Sequence, residues 1–357
     1  MNLALTEDQR MIRDAAASYL ADASGPAAVR MAMATDSGFD PALWHGIGDM
    51  GWCGAAVPES FGGLGLGPLE QALILEQMGR HLVCAPYFAS IALAANLLVQ
   101  VGSAAAKKKY LPLLAKGALC ATAKFDAAGL RAKKVKSGWQ ASGRVDGVVD
   151  GASAELLLLP SGATVFAIRL DAAGVKRRPL TTWDATRRFA DVELKSVSAE
   201  RVDDPARKSG LARAESLARL YLAAEQLGGA QRCLDLTLRY ISERKQFGRA
   251  IASFQAVKHR CAQMMVKIEG LRSAVYGAAA CAAGHPDTRT LALECAMARA
   301  LAADTFFHCS AEAIQLHGGV GFTWEFEPQL YFKRAQAGAH WLGTASAMRE
   351  QIAQALL

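Results

Sequence analysis

Two segments of this sequence combine residue types suited to holding a phosphorylated ligand. One is Glu243-Arg244-Lys245-Gln246-Phe247-Gly248-Arg249-Ala250-Ile251, and the other, about seventy residues later, is Gln315-Leu316-His317-Gly318-Gly319-Val320-Gly321-Phe322-Thr323. A diphosphate is held by a planar guanidinium that donates in a fork, and by backbone N–H groups with no side chain in the way. Arg244 can supply the first and the Gly318-Gly319 turn the second, because glycine lets a ligand approach the main chain closely. The competing reading is that Arg244 pairs with a nearby carboxylate and the glycines merely end a helix. Each segment alone is open to it, and their joint occurrence weighs against it.

Both segments sit at the ends of long helical patterns. Leu217, Leu220, Tyr221, Ala224 and Leu227 recur at three- and four-residue spacing, as do Phe254, Val257, Cys261, Met264, Met265, Ile268 and Leu271. The second pattern stops at Gly284-His285-Pro286, and a third helix is expected from about Thr288 to Leu316, closed by Gly318-Gly319, with two shorter helices in the tail. The methionines and cysteines on these faces read as core filling.

Upstream, residues 1–118 read as a helical domain. Thr6-Glu7-Asp8-Gln9 has the form of a capping box, and Asp40-Pro41 starts another helix. Pro58, Gly62, Gly63, Gly65 and Gly67 break the pattern between Gly51 and Gly67 into a turning loop, after which helices are expected over Pro68 to about Leu82, Ile91 to Val101 and Ala104 to Leu114. Residues 119–208 change character. Val145 to Val149, Leu156 to Leu159, Thr164 to Ile168 and Phe189 to Leu194 are too short for buried helices and read as strands of a small antiparallel sheet or barrel. Residues 209–357 complete the chain as a helical bundle. The expected fold class is therefore mainly α with a middle β domain, comprising an N-terminal helical domain, a small β-barrel-like domain and a C-terminal four-helix bundle.

Composition agrees with a globular chain. Its 357 residues, 52% of them hydrophobic, can bury a large core, and no apolar run reaches the roughly 20 residues a membrane helix requires. Eight cysteines without metal-ligand spacing read as reduced core residues of a cytoplasmic protein. The net charge of +7 comes partly from Lys107-Lys108-Lys109, Lys133-Lys134-Val135-Lys136 and Arg187-Arg188, which are separate and lack interleaved aromatics. They read as solvated faces rather than a nucleic-acid platform, with phosphate-bearing ligands such as coenzyme A as the other option.

The order of helical domain, small β domain and helical bundle, together with these motifs, resembles the acyl-CoA dehydrogenase family along essentially the whole chain. Gly51-Trp52-Cys53-Gly54, Pro58-Glu59 and Gly62-Gly63-Leu64-Gly65 resemble its N-domain loop; Arg244 to Ile251 with Gln255, and Gln315 to Gly321, resemble its two C-domain signatures. The resemblance implies that Arg244, Gln246, Phe247, Gln315, Leu316, Gly318 and Gly319 hold the adenine and pyrophosphate end of a neighbouring subunit's FAD. It also implies acyl-CoA as substrate, an electron-transfer flavoprotein or similar electron acceptor, and neither a metal nor a nucleic acid or membrane partner.

The same resemblance exposes losses. The family's Thr-Glu-Pro and Gly-Ser-Asp ring-binding segment has as its counterpart Thr122-Ala123-Lys124-Phe125-Asp126-Ala127-Ala128-Gly129, and the following Trp and Ser or Thr fall on Gly147-Val148-Val149-Asp150-Gly151. The family's catalytic carboxylate removes a proton beside the thioester, and its two usual positions correspond to Leu342 and Ala218, neither of which can take a proton. Glu215 and Glu225 lie on the same helix as Ala218, one and two turns away, and either needs a shifted geometry to substitute. His317 and His340 read as structural. Elements for a partner's flavin are kept while those for its own are lost, which resembles the non-catalytic subunit of bacterial α2β2 dehydrogenases acting on bulky acyl-CoA thioesters, including steroid side chains. The catalytic partner would be a homologous subunit. The alternatives are a self-sufficient homotetrameric dehydrogenase with a relocated base and a flavin-free scaffold subunit.

Overall fold

The computed structural model describes residues 4–136 and 138–357. Eleven α-helices and nine strands occur among them, with the strands confined to the middle of the chain apart from one short hairpin. The order is α1 (Glu7–Ala23), α2 (Pro26–Ala34), α3 (Pro41–Asp49), α4 (Pro68–Arg80), α5 (Asn96–Val101) and α6 (Ala104–Ala115). Strands β1 (Ala121–Ala123), β2 (Arg131–Val135), β3 (Gly138–Val149), β4 (Leu156–Ser161), β5 (Thr164–Arg169), β6 (Val175–Leu180) and β7 (Phe189–Arg201) follow. Then come α7 (Gly210–Glu243), β8 (Lys245–Gln246), β9 (Arg249–Ala250), α8 (Gln255–Ala283), α9 (Thr288–His317), α10 (Pro328–Gly338) and α11 (Ala345–Leu356).

Local chemistry accounts for the helix ends. The Thr6 side chain accepts from the Gln9 N–H while the Gln9 side chain accepts from the Thr6 N–H, completing the capping box. Asp40 caps α3 with Pro41 at its first position, and Gly284 closes α8. Between α3 and α4 the expected loop contains two short 3₁₀ turns. Gly63 is required there, because a Cβ would lie 2.1 Å from the Val57 carbonyl oxygen. The helix expected from Ile91 starts earlier, as π turns over Phe88–Ala95 that run into α5.

The chain sorts into two compact units. One comprises residues up to Val29, Pro68–Val83 and Arg219–Leu357. In it α7, α8 and α9 are long and α10 and α11 pack on α9. Its interior holds Leu220, Leu227, Met264, Ile268, Leu271, Phe306 and Cys309. A buried carboxylate, Glu76 of α4, accepts from the Arg272 guanidinium and from the Tyr276 hydroxyl at 2.8 Å, both on α8.

The other unit comprises Arg30–Gly67 and Cys84–Ala218 and contains the sheet. Strand order is β1-β4-β5-β7-β3-β2, with β6 also on β7. Strand β7 is long enough to pair β3 and β6 along its first part and β5 at Glu200 and Arg201. Two expectations are corrected. Among the described residues the sheet stays open rather than closing as a barrel, and it is mixed, since β1 and β4 run parallel. Its core is Val145, Val148, Leu157, Leu159, Phe166, Ile168, Val192 and Leu194.

All eight cysteines are free and six are buried. Burial pushes the thiols of Cys120 and Cys309 up to about 11 and about 12, which keeps them protonated and inert. No described helix is long and apolar enough to cross a membrane, and no metal-ligating cluster occurs among the described residues.

Candidate functional site

Arg244 follows directly on the end of α7, its N–H donating to the Tyr240 carbonyl at 2.9 Å. The chain then reverses. Gln246 of β8 pairs with Arg249 of β9, and the Ile251 N–H donates to the Arg244 carbonyl at 2.9 Å, closing the hairpin behind the arginine. At its tip Phe247 and Gly248 both take left-handed backbone, with φ of 53° and 76°. Glycine adopts this freely, whereas for phenylalanine it costs on the order of 1–3 kcal/mol. Phe247 is also 91% exposed, with Phe254 edge-on at 6.1 Å and the Arg249 guanidinium 4.2 Å from the Phe254 ring. A strained backbone thus presents an aromatic ring to the outside.

The Arg244 side chain is exposed and has no carboxylate partner among the described residues, so the ion-pair reading of this residue falls away. Gly318 caps α9 by donating to the Gln315 carbonyl, with φ 67° and ψ −148°, a region essentially confined to glycine. Among the described residues a Cβ at Gly318 or at Gly319 would meet nothing within 4 Å, so their packing does not demand glycine at 319. By contrast, Gly321 is demanded, because its Cβ would lie 2.8 Å from the Ile314 carbonyl oxygen. Gln315 is exposed and Leu316 half-buried beside this open backbone. An unpaired guanidinium and an unobstructed pair of glycines fit the pyrophosphate of FAD, which such groups would hold.

Two aromatic residues that sequence reasoning did not connect to these segments, Tyr240 and Phe326, pack against His317. Tyr240 stacks on His317 with ring centroids 4.4 Å apart, and Phe326 stands edge-on to both. His317 is buried, and its Nδ1–H donates to the Ala313 carbonyl at 2.6 Å. Burial lowers its pKa, so the ring is held neutral and structural.

The positions that correspond to the family's base are of a different kind. Ala218 is fully buried on α7. Leu342 is half-buried with φ 55°, and its carbonyl accepts from the Arg219 guanidinium at 3.1 Å. Arg299, entirely buried and drawn down to about 10 by burial and then by Arg219, fixes the preceding turn by donating to the carbonyls of Gly338 and Trp341 at 2.7 and 2.9 Å. Glu225 is committed to Arg334 at 2.7 Å, both side chains about 5% exposed. Taking up a substrate proton there would leave a guanidinium buried without its counter-charge.

Glu215 is half-buried and lines an open cleft of about 690 Å³ at the start of α7. The cleft is walled by Thr164, Arg201, Asp203, Arg207, Lys208 and Leu211 among others. Asp203 neutralises Arg201 through two hydrogen bonds of 3.1 and 2.9 Å, and Arg207 lies 3.8 Å from Asp204. Lys208 is exposed and has no acidic partner among the described residues, leaving one cation on the cleft wall. Sequence reasoning passed over these cations because they form no run; only the fold brings the β4–β5 turn to the start of α7.

Comparison with known proteins bears on both regions. Residues 6–118 match the family model described as the acyl-CoA dehydrogenase N-terminal domain, and residues 213–357 the one described as its C-terminal domain. The acyl-CoA dehydrogenase IpdE2 of Mycobacterium tuberculosis is 38% identical over 342 residues, covering 94% of this chain and 93% of its own. IpdE2 of Mycolicibacterium smegmatis is 35% identical over 349 residues, covering 98% and 97%. Among solved structures, the ChsE4-ChsE5 complex from Mycobacterium tuberculosis superposes with a TM-score of 0.90 at 28% identity, over 100% of this chain and 99% of that one. A variant of a steroid ACAD gives 0.90 and 28%, over 98% of each chain. The chain belongs to the acyl-CoA dehydrogenase family.

Proposed function

We propose that this chain is a subunit of an FAD-dependent acyl-CoA dehydrogenase that introduces a double bond between the α and β carbons of an acyl-CoA thioester, and that it acts on its partner's flavin. FAD, when bound, supplies the hydride acceptor. This chain's part is to hold it: Arg244 donates to the pyrophosphate, Gly318-Gly319 offers unobstructed N–H groups, and Phe247, Gln246, Gln315 and Leu316 line the approach. The observation that carries the reading is an unpaired Arg244 and an open Gly319 on a chain with Leu342 and Ala218 at the two places where a base is expected. A homologous catalytic subunit supplies the carboxylate and the ring-binding half of the site. The similar structures, a ChsE4-ChsE5 complex and a steroid ACAD, support a heteromeric assembly and a bulky, steroid-derived acyl group. The cleft beside Lys208 is the place on this chain for the anionic end of coenzyme A.

Coexpression with a homologous catalytic subunit tests this reading. The expected result is a yellow mixed oligomer that reduces an electron-transfer flavoprotein or an artificial acceptor with acyl-CoA. In that complex Arg244→Ala should weaken FAD binding about tenfold or more, since a charge-assisted pair to phosphate is worth roughly 1.5–3 kcal/mol. A second reading, a self-sufficient enzyme using Glu215, draws on that residue's place in the cleft wall. It requires the chain alone to bind FAD stoichiometrically and to turn over, and that result would sink the heteromer. A colourless, inert mixture would favour the flavin-free scaffold instead.

A further inference from the structure

The two flavin-facing segments come from different helices, and their relative position has to be set by something. Tyr240 lies one helical turn before Arg244, and its carbonyl receives the Arg244 N–H. His317 immediately precedes Gly318. The rings of these two residues stack at 4.4 Å with only 21° between their planes. Phe326, in the turn leading to α10, meets Tyr240 edge-on at 6.1 Å and 89°, and His317 at 6.2 Å and 70°. The His317 ring cannot swing freely, because its Nδ1–H is committed to the Ala313 carbonyl. Burial disfavours a charge that would alter the stack.

We propose that Tyr240, His317 and Phe326 form a three-ring clamp that fixes the spacing between Arg244 and Gly318-Gly319, making them positioning residues for the flavin diphosphate. The physical argument is one of reach. Among the described residues Arg244 makes no side-chain hydrogen bond or ion pair, and the glycines have no side chain to brace them, so each is only as well placed as the backbone beneath it. A bidentate arginine and a pair of amides must meet the same diphosphate at once, and small misplacement forfeits one of them. Flat faces locked at fixed spacing and tilt supply that precision where a flexible aliphatic contact would not. The inference rests on the reading that these segments bind FAD.

The test is FAD titration into the deflavinated heteromeric complex carrying the full chain, followed by flavin absorbance and fluorescence, with melting temperature measured in parallel. Tyr240→Ala should weaken FAD about tenfold. Tyr240→Phe, which keeps the ring and drops only the hydroxyl, should restore affinity to within about twofold. Tyr240→Leu, which keeps bulk without a flat face, should behave like the alanine variant and serves if the alanine variant does not fold. Phe307→Ala, at the ring pair Phe307–Phe332 spaced at 5.6 Å, should lower the melting temperature and leave FAD affinity unchanged. Equal loss of FAD in Phe307→Ala would reduce the effect to general destabilisation and overturn the clamp. Full FAD retention in both Tyr240→Ala and Tyr240→Leu, beside an Arg244→Ala that sheds the flavin, would overturn the clamp alone. Retention in Arg244→Ala would overturn the flavin reading beneath it.

Discussion

Glu225 looks like a spare carboxylate in the sequence and is the opposite in the fold. With Arg334 it forms a buried pair 109 residues apart in the chain, a relation no local pattern reveals. Removing one partner of such a pair strands the other, so Glu225→Ala should cost about 3–5 kcal/mol of stability by chemical denaturation. His81 makes a second prediction at this scale. Burial, and then repulsion from Arg232 and Arg80, draws its imidazole from 6.5 down to about 4. Below pH 6.5 the unfolded chain therefore takes up this proton while the folded chain resists it. The stability His81 contributes is fully present above about 6.5 and is lost as pH falls toward about 4. In His81→Gln the unfolding free energy should depend less steeply on pH across that window. Arg244 and the glycines can be proposed from sequence because residue type alone carries their chemistry. Tyr240 and Phe326 were not, because a stack is a property of distance.

Elements whose signal is local were read well. The Thr6 and Asp40 caps, the Gly284 stop and the apolar runs of β4, β5 and β7 all stand where the sequence places them, since each depends on neighbours a few residues away. Strands β2 and β6 escaped notice. Arg131-Ala132-Lys133-Lys134-Val135 and Val175-Lys176-Arg177-Arg178-Pro179-Leu180 are each at least half charged, and each pairs with only one neighbouring strand and is largely exposed. Charge on such strands discourages pairing with another chain, which hides them from a search for alternating apolar residues. The sheet interior has the reverse character. Leu157 is wholly inaccessible between its neighbours, so Leu157→Ala should cost about 2–5 kcal/mol, measurable by urea denaturation, as transfer energy and cavity add.

For the molecule as a whole, composition and motif order gave the succession of helical, strand-rich and helical regions, while sheet topology lay beyond them. The one parallel pair among the described residues joins β1 and β4, which are distant in sequence. The division of labour proposed for the assembly has its own signature in the glycine segment. Because none of the described residues crowds position 319, Gly319→Ala should leave the melting temperature of the isolated subunit unchanged, yet reduce FAD retention in the complex about tenfold. A screen for well-folded variants would therefore pass this substitution. Under the proposed assembly, the requirement for glycine at 319 belongs to a molecule that the single chain does not contain, so only the complex would exert it.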